Sequence, residues 1–188
     1  MKSPPSRHAL AVVALTTALW LPCSVPALAN APADSAASAI AGQPLRGRSL
    51  YRYWGFEVYV ASLYAAPTFV AERFEQERFA LELQYRRAFR GEDIAQRSIE
   101  EMQDISPLPP EQTGVWLATM KRLFPDVSPG DRLLGVYRPG GGASFYLNGQ
   151  PRGSIDDPVF AARFFGIWLS PRTSAPQLRE ALIAATPR

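Results

Sequence analysis

Three short strand-like runs lie so close together in the second half of this chain that only one kind of sheet can hold them. Residues 131–138, 143–147 and 150–155 are separated by Pro139-Gly140-Gly141-Gly142 and by Asn148-Gly149. Connections this short cannot return the chain to the starting end of a sheet, as parallel strands require. Asn-Gly supplies two residues that accept positive φ, which a two-residue hairpin demands. The sequence therefore predicts an antiparallel meander.

Other segments extend the pattern. Residues 79–86 (FALELQYR) alternate Phe79, Leu81, Leu83 and Tyr85 with Ala80, Glu82, Gln84 and Arg86, the period of a half-buried strand. Residues 49–65 (SLYRYWGFEVYVASLYA) are rich in Tyr, Trp, Phe and Val, with Gly55 in the middle. They read as two strands, or as one long strand bent at Gly55, because glycine inside a strand often marks a bulge or kink. Residues 91–103 place Glu92 and Asp93 in a first turn and Ile94, Ala95, Ile99 and Met102 on one side, the signature of an amphipathic helix. A second helix over 111–124 is entered through Pro109-Pro110 and buries Trp116, Met120, Leu123 and Phe124. Asp157 before Pro158 caps a helix that runs to Trp168 and is apolar nearly all round. Ser174 and Gln177 have capping-box spacing and start a last helix, to about residue 184. Antiparallel strands with helices in two pairs give an α+β domain, its sheet covered by helices.

The N-terminus reads differently. Lys2 and Arg7 precede an apolar run over residues 9–21 and then Ala27-Leu28-Ala29, the layout of a secretory signal peptide. The run falls short of the roughly 20 residues a bilayer span needs. Residues 1–29 are expected to be a signal peptide cleaved after Ala29. The mature protein is then periplasmic or secreted, without stable membrane insertion. Cys23 follows Pro22 where a lipidation site wants a small residue, so no lipid is expected there. Residues 30–44, mostly Ala, Ser and Pro, read as a flexible linker, and 45–188 as the folded domain. The single Cys and the single His, Cys23 and His8, both leave with the leader. That removes disulfides, thiolate nucleophiles, a histidine base and Cys or His metal ligands, and no metal or cofactor is expected. Without Lys2 and Arg7 the charge balance is 18 basic to 17 acidic residues, which gives no footprint for nucleic acid.

The segments GRSLYRYWGFEVYVASLY, LELQYRRAFRGEDIAQRSIEEM and GSIDDPVFAARFFGIWLSPRTSAPQLREAL, in that order, resemble the chalcone isomerase-like family, in particular its secreted bacterial branch. The resemblance covers about residues 45–183. It implies an open-faced β-sandwich, a large antiparallel sheet with helices packed on one face. It also implies one of two activities, the cyclisation of a chalcone by an intramolecular lyase, or the binding of a fatty acid in the same cleft without catalysis. In the enzymes an arginine near the first strand, a threonine on the next, and a tyrosine and an asparagine on the first helix surround the substrate. Arg52 or Arg48 matches the arginine. Tyr59 stands in the second place, as in the fatty-acid-binding relatives, where tyrosine and arginine hold a carboxylate. The helix tyrosine lands near Ile94 and the asparagine near Glu101 or Met102.

Ile94 offers neither hydrogen bond nor charge to a cyclisation. A carboxylate needs less: a guanidinium, a phenol and an apolar slot for the tail. Arg52 and Tyr59, with Trp54, Phe56, Ile94, Trp116 and Phe164 as walls, form the candidate site for a fatty acid or similar amphiphile. Arg52 and Tyr59 fall on opposite faces of a regular strand, so their pairing requires a bulge at Gly55. Glu100-Glu101 reads as a solvated helix face and Asp156-Asp157 as a cap. An isomerase and an envelope scaffold without a small ligand stand as alternatives, and the oligomeric state is open.

Overall fold

The computed structural model describes residues 35–184; the expected signal peptide lies outside the described residues. Six strands form one antiparallel sheet in chain order: β1 (Leu45–Tyr53), β2 (Phe56–Ala65), β3 (Phe79–Tyr85), β4 (Arg132–Arg138), β5 (Gly142–Leu147) and β6 (Gln150–Ile155). Helices α2 (Gly91–Ile105) and α3 (Pro110–Leu123) connect β3 to β4, and α4 (Pro158–Leu169) and α5 (Pro176–Ile183) follow β6. A short helix, α1 (Ala36–Ala39), precedes the sheet. This is the expected α+β architecture, a meander with α2 to α5 on one face.

Two of the hairpins turn through the same backbone conformation. Asn148-Gly149 has φ of 50° and 86°, and Trp54-Gly55 has φ of 51° and 81°. Gly55 is thus the second residue of a tight turn between two strands. The irregularity falls further along, where Tyr51 pairs with Tyr59 but Arg52 pairs with Glu57, so that β2 carries Val58 as the additional residue.

The inner face of the sheet is apolar because alternate residues point the same way. Leu63, Phe79, Leu81, Tyr137 and Phe145 are buried there beneath α4. Phe165 of α4 stands edge-on to Phe79 at 5.1 Å and to Tyr137 at 5.6 Å. Gly135 makes room for it, since a Cβ at that position would lie 2.9 Å from the Phe165 ring. Phe164 packs between Phe145, Phe124, Phe160 and Trp168. Asp157 fixes the start of α4: one carboxylate oxygen accepts from the N–H groups of Val159 and Phe160 at 2.8 and 3.0 Å, and the other accepts from Trp116 Nε1 at 2.9 Å. Trp116 is therefore a core residue that ties α3 to the cap of α4.

Two expectations about the chain ends change. Within the stretch expected to be a flexible linker, Ser35 caps α1, and Ala36, Ala39 and Ile40 pack on a small apolar patch of the outer sheet face formed by Ala80, Leu134, Val136, Tyr64 and Tyr146. A side of the sheet that would otherwise expose these groups is covered by small residues, which composition alone reads as unstructured. Nor is Ser174 the cap of α5. Ala175 holds that position without a side-chain bond, and the Ser174 hydroxyl instead donates to Glu101 at 2.6 Å.

Replacing Asp157 by Ala removes the cap of α4 and strands the Trp116 indole N–H. The combined cost is about 2–4 kcal/mol, to be read from the urea midpoint, while Asp157→Asn, which keeps an acceptor oxygen, should lose less than half of that. A wild-type midpoint for Asp157→Ala would show that the cap contributes nothing.

Candidate ligand-binding cavity

At the β1–β2 end of the inner face, α2 and the α4–α5 connection stand over the sheet and enclose a cavity of about 370 Å3. Its size falls in the roughly 300–1,000 Å3 range of small-molecule sites. Leu83, Tyr85, Leu133 and Tyr59 of the sheet and Ile167, Trp168 and Phe164 of α4 form the apolar wall. Asp93, Ile94, Arg97, Ser98 and Glu101 contribute from α2, Tyr51 and Tyr53 from β1, and Ser174, Ala175 and Leu178 from the entry to α5.

The position of α2 follows from a close approach. A Cβ on Gly91 would lie 2.0 Å from the Phe124 carbonyl oxygen, and the Gly91 N–H donates to Asp126 at 2.8 Å. Only glycine allows the helix to begin there. Successive positions Ile94, Arg97, Ser98 and Glu101, spaced three and four apart, then share one helix face.

The polar groups of the cavity form two hydrogen-bonded sets, one around Glu101 and one between Tyr59 and Trp168. Arg97 donates to Glu101 through Nη2 and to Glu100 through Nη1 at 3.3 Å, and Glu101 also accepts from Ser174. Glu101 is buried, at 6% exposure, whereas Glu100 is not. This corrects the reading of Glu100-Glu101 as a solvated face: the helix turns 100° between the two residues, so only Glu100 meets water. Burial works against the Arg97 charge, but Glu101 and Glu100 more than offset it and hold the guanidinium above its ordinary pKa. Tyr51 stacks on Tyr59 at 5.1 Å. The Tyr59 hydroxyl accepts from Trp168 Nε1 at 3.0 Å, which leaves its own proton to donate. Burial pushes the Tyr59 phenol well above the ordinary tyrosine value, only partly countered by the Trp168 bond, and burial alone does the same for Tyr85. Both are neutral hydrogen-bond donors at any physiological pH.

Of the candidate residues, the structure brings Tyr59, Ile94 and Phe164 together in this cavity. It does not bring Arg52, Trp54, Phe56 or Trp116 there. Arg52 pairs with Glu57 at 2.9 Å near the hairpin turn, more than half exposed, because the strand irregularity brings Tyr51 rather than Arg52 to Tyr59. Arg52 and Trp54 border a second depression that shares Tyr51, Tyr53, Arg97 and Ser174 with the cavity. Phe56 is on the surface with Arg87 4.7 Å from its ring, and Trp116 is in the core. Arg48 donates to Gln84 at 3.5 Å and is exposed. The guanidinium of the cavity belongs to Arg97, which the sequence reading passed over. The helical spacing of Ile94, Arg97 and Glu101 was the available signal. Among the described residues there is no His or Cys, no cluster suited to a metal ion, and no helix long and apolar enough to cross a membrane.

Comparison with known proteins agrees with this architecture. The chain is 30% identical over 152 residues to an uncharacterised protein of Haemophilus influenzae, covering 81% of this chain and 73% of that one. Its fold is similar to that of the crystal structure of a fatty-acid binding protein of Arabidopsis thaliana, with a TM-score of 0.53 at 13% identity over 74% of this chain and 83% of the plant protein. Residues 34–184 match the family model described as chalcone isomerase-like, and the chain belongs to that family.

Proposed function

We propose that this protein is an exported, non-catalytic binder of a single-chain amphiphile such as a fatty acid. The observation that carries the reading is the cavity, apolar in its depth and polar at one cluster, Arg97–Glu101–Ser174 with the Tyr59 phenol beside it. An acyl chain fits the wall of Leu83, Tyr85, Leu133, Phe164, Ile167 and Trp168. The head-group oxygens accept from the Tyr59 hydroxyl and from Arg97, whose Nε–H is not used by either glutamate. Ile94 stands where the family resemblance implies an enzyme's tyrosine, and an alkyl group there can only line the slot. The fatty-acid-binding plant protein of similar fold supports the reading at the level of architecture. Export rests on the N-terminal pattern of residues 1–29.

Delipidated protein titrated with a long-chain fatty acid should bind saturably, and a chalcone should keep its absorbance in its presence. Ile94→Trp, which fills the slot, should abolish binding while leaving the fold intact. Arg97→Ala alone would strand buried Glu101, so the paired change Arg97→Gln with Glu101→Gln is the cleaner probe. It should weaken binding about tenfold to a hundredfold, the worth of a hydrogen bond to a charged group. Saturable binding that survives Ile94→Trp would move the ligand elsewhere, and loss of chalcone absorbance would favour an isomerase.

The phenols give a pH test. Their folded pKa values lie above the unfolded value of 10.0. The stability they contribute is therefore complete below about pH 10 and lost as pH rises above it. Phenolate absorbance of these two residues should appear together with loss of circular dichroism, and Tyr85→Phe should move the alkaline midpoint upward. Protein recovered from the periplasm should begin at Asn30; recovery with Met1 retained would remove the export proposal.

A further inference from the structure

The β1–β2 hairpin ends in a tip rich in exposed aromatic side chains. Tyr53, Trp54 and Phe56 are 50%, 85% and 60% exposed. Trp54 holds a φ of 51°, a conformation that is costly for a bulky residue and cheap for asparagine or glycine. The β5–β6 turn shows the ordinary solution: Asn148 takes the same place, accepting from the Arg132 N–H and donating to Asp131, each at 2.9 Å. Trp54 makes only an edge contact with Tyr53 at 6.3 Å. A strained, exposed tryptophan in a place where asparagine would fold better points to a role outside the fold.

Beside the tip the glutamate of the hairpin, Glu57, is paired with Arg52, and further arginines stand nearby. Arg87 lies 4.7 Å from the Phe56 ring and Arg97 lies 5.7 Å from that of Tyr53. Arg86 joins β2 through its N–H, which donates to the Val58 carbonyl at 2.9 Å. Arg86 and Arg87 are exposed, and among the described residues neither has a carboxylate partner. The tip also borders the cavity. Tyr53 lines the cavity itself, and Arg52, Tyr53 and Trp54 wall the depression that shares Tyr51, Arg97 and Ser174 with it.

We propose that this tip docks the protein on an anionic bilayer surface, with Trp54, Phe56 and Tyr53 at headgroup level and Arg86 and Arg87 on lipid phosphates. Amphipathic aromatic rings favour that interface, and unpaired arginines are drawn to an anionic leaflet. A stable protein interface needs roughly 800 Å2 on each side, more than the three rings of a two-residue turn present. Docking brings the cavity mouth to the layer where amphiphiles reside. Its use in loading rests on the function proposed above; the docking itself does not.

Cosedimentation with phosphatidylcholine vesicles, with and without phosphatidylglycerol, tests the proposal. Wild-type protein should bind the anionic vesicles, less so as salt rises. In protein that begins at Asn30, and so lacks Trp20, the tryptophan emission should shift to the blue, since Trp116 and Trp168 are already buried. Trp54→Asn should leave the melting temperature equal or higher yet cut vesicle partitioning at least about tenfold. Arg87→Ala should reduce it several-fold. Fatty-acid affinity in vesicle-free solution should be unchanged by Trp54→Asn. Wild-type binding to anionic vesicles that Trp54→Asn leaves intact, no vesicle binding at all, or a tip-dependent dimer by sedimentation velocity would each overturn the proposal. Vesicle binding through the tip by a protein that takes up no fatty acid would instead remove only the ligand reading.

Discussion

The seating of α4 on the inner face of the sheet is the interaction on which the rest of the structure depends. Phe160, Phe164, Phe165 and Trp168 are all buried, and each such side chain stabilises the fold by roughly 1.5–3 kcal/mol. The surface ion pairs, at roughly 0–1 kcal/mol each, cannot compete. The same helix serves both core and cavity. Its Phe165 locks over Gly135 at the middle of the sheet, while Ile167 and Trp168 reach the cavity, where the indole N–H holds the Tyr59 hydroxyl.

Much of this was legible in the sequence because it depends on local chemistry. The short connections fixed the antiparallel order, and Asn148-Gly149, Asp157-Pro158 and the alternation over β3 each placed an element on its own residues. The 3-10 segment Ala71–Gln76 escaped notice, as did α1, because neither carries a periodic apolar pattern long enough to read. Ile94, Tyr59 and Phe164 of the expected set line the cavity, but the guanidinium that lines it, Arg97, is on α2 and not on β1. Which strand residues share a face depends on where an irregularity falls, and a shift from Gly55 to Val58 is invisible in composition. Ser174 was misassigned for a related reason. Its spacing to Gln177 fits a cap, yet Glu101, 73 residues away in the chain, claims its hydroxyl.

The charged cluster at the cavity raises a question of energetics. A buried carboxylate is costly unless it is paired and hydrogen-bonded, and Glu101 is both, through Arg97 and Ser174. Such a pair gives little net stability, so its presence is better understood as orientation. Glu101 holds the Arg97 side chain along α2 and against the Tyr53 ring, and Ser174 carries the entry of α5 to the same point. A guanidinium fixed in this way loses little entropy when it meets a ligand oxygen.

Why the cavity stays open follows from the elements around it. Collapse would require α2 to move toward β1 and β2, but its first turn is held by the contact of Gly91 with Phe124 and by Asp126. On the opposite side, α5 is held against β1 at Gly47, where a Cβ would lie 2.3 Å from the Ala181 and Leu182 carbonyl oxygens. Both supports are backbone contacts that cannot shorten. Between them the charged groups of α2 could not enter the apolar depth without losing their partners. The space is therefore a consequence of two glycines that fix the helices and of a polar cluster that cannot follow the apolar side chains inward.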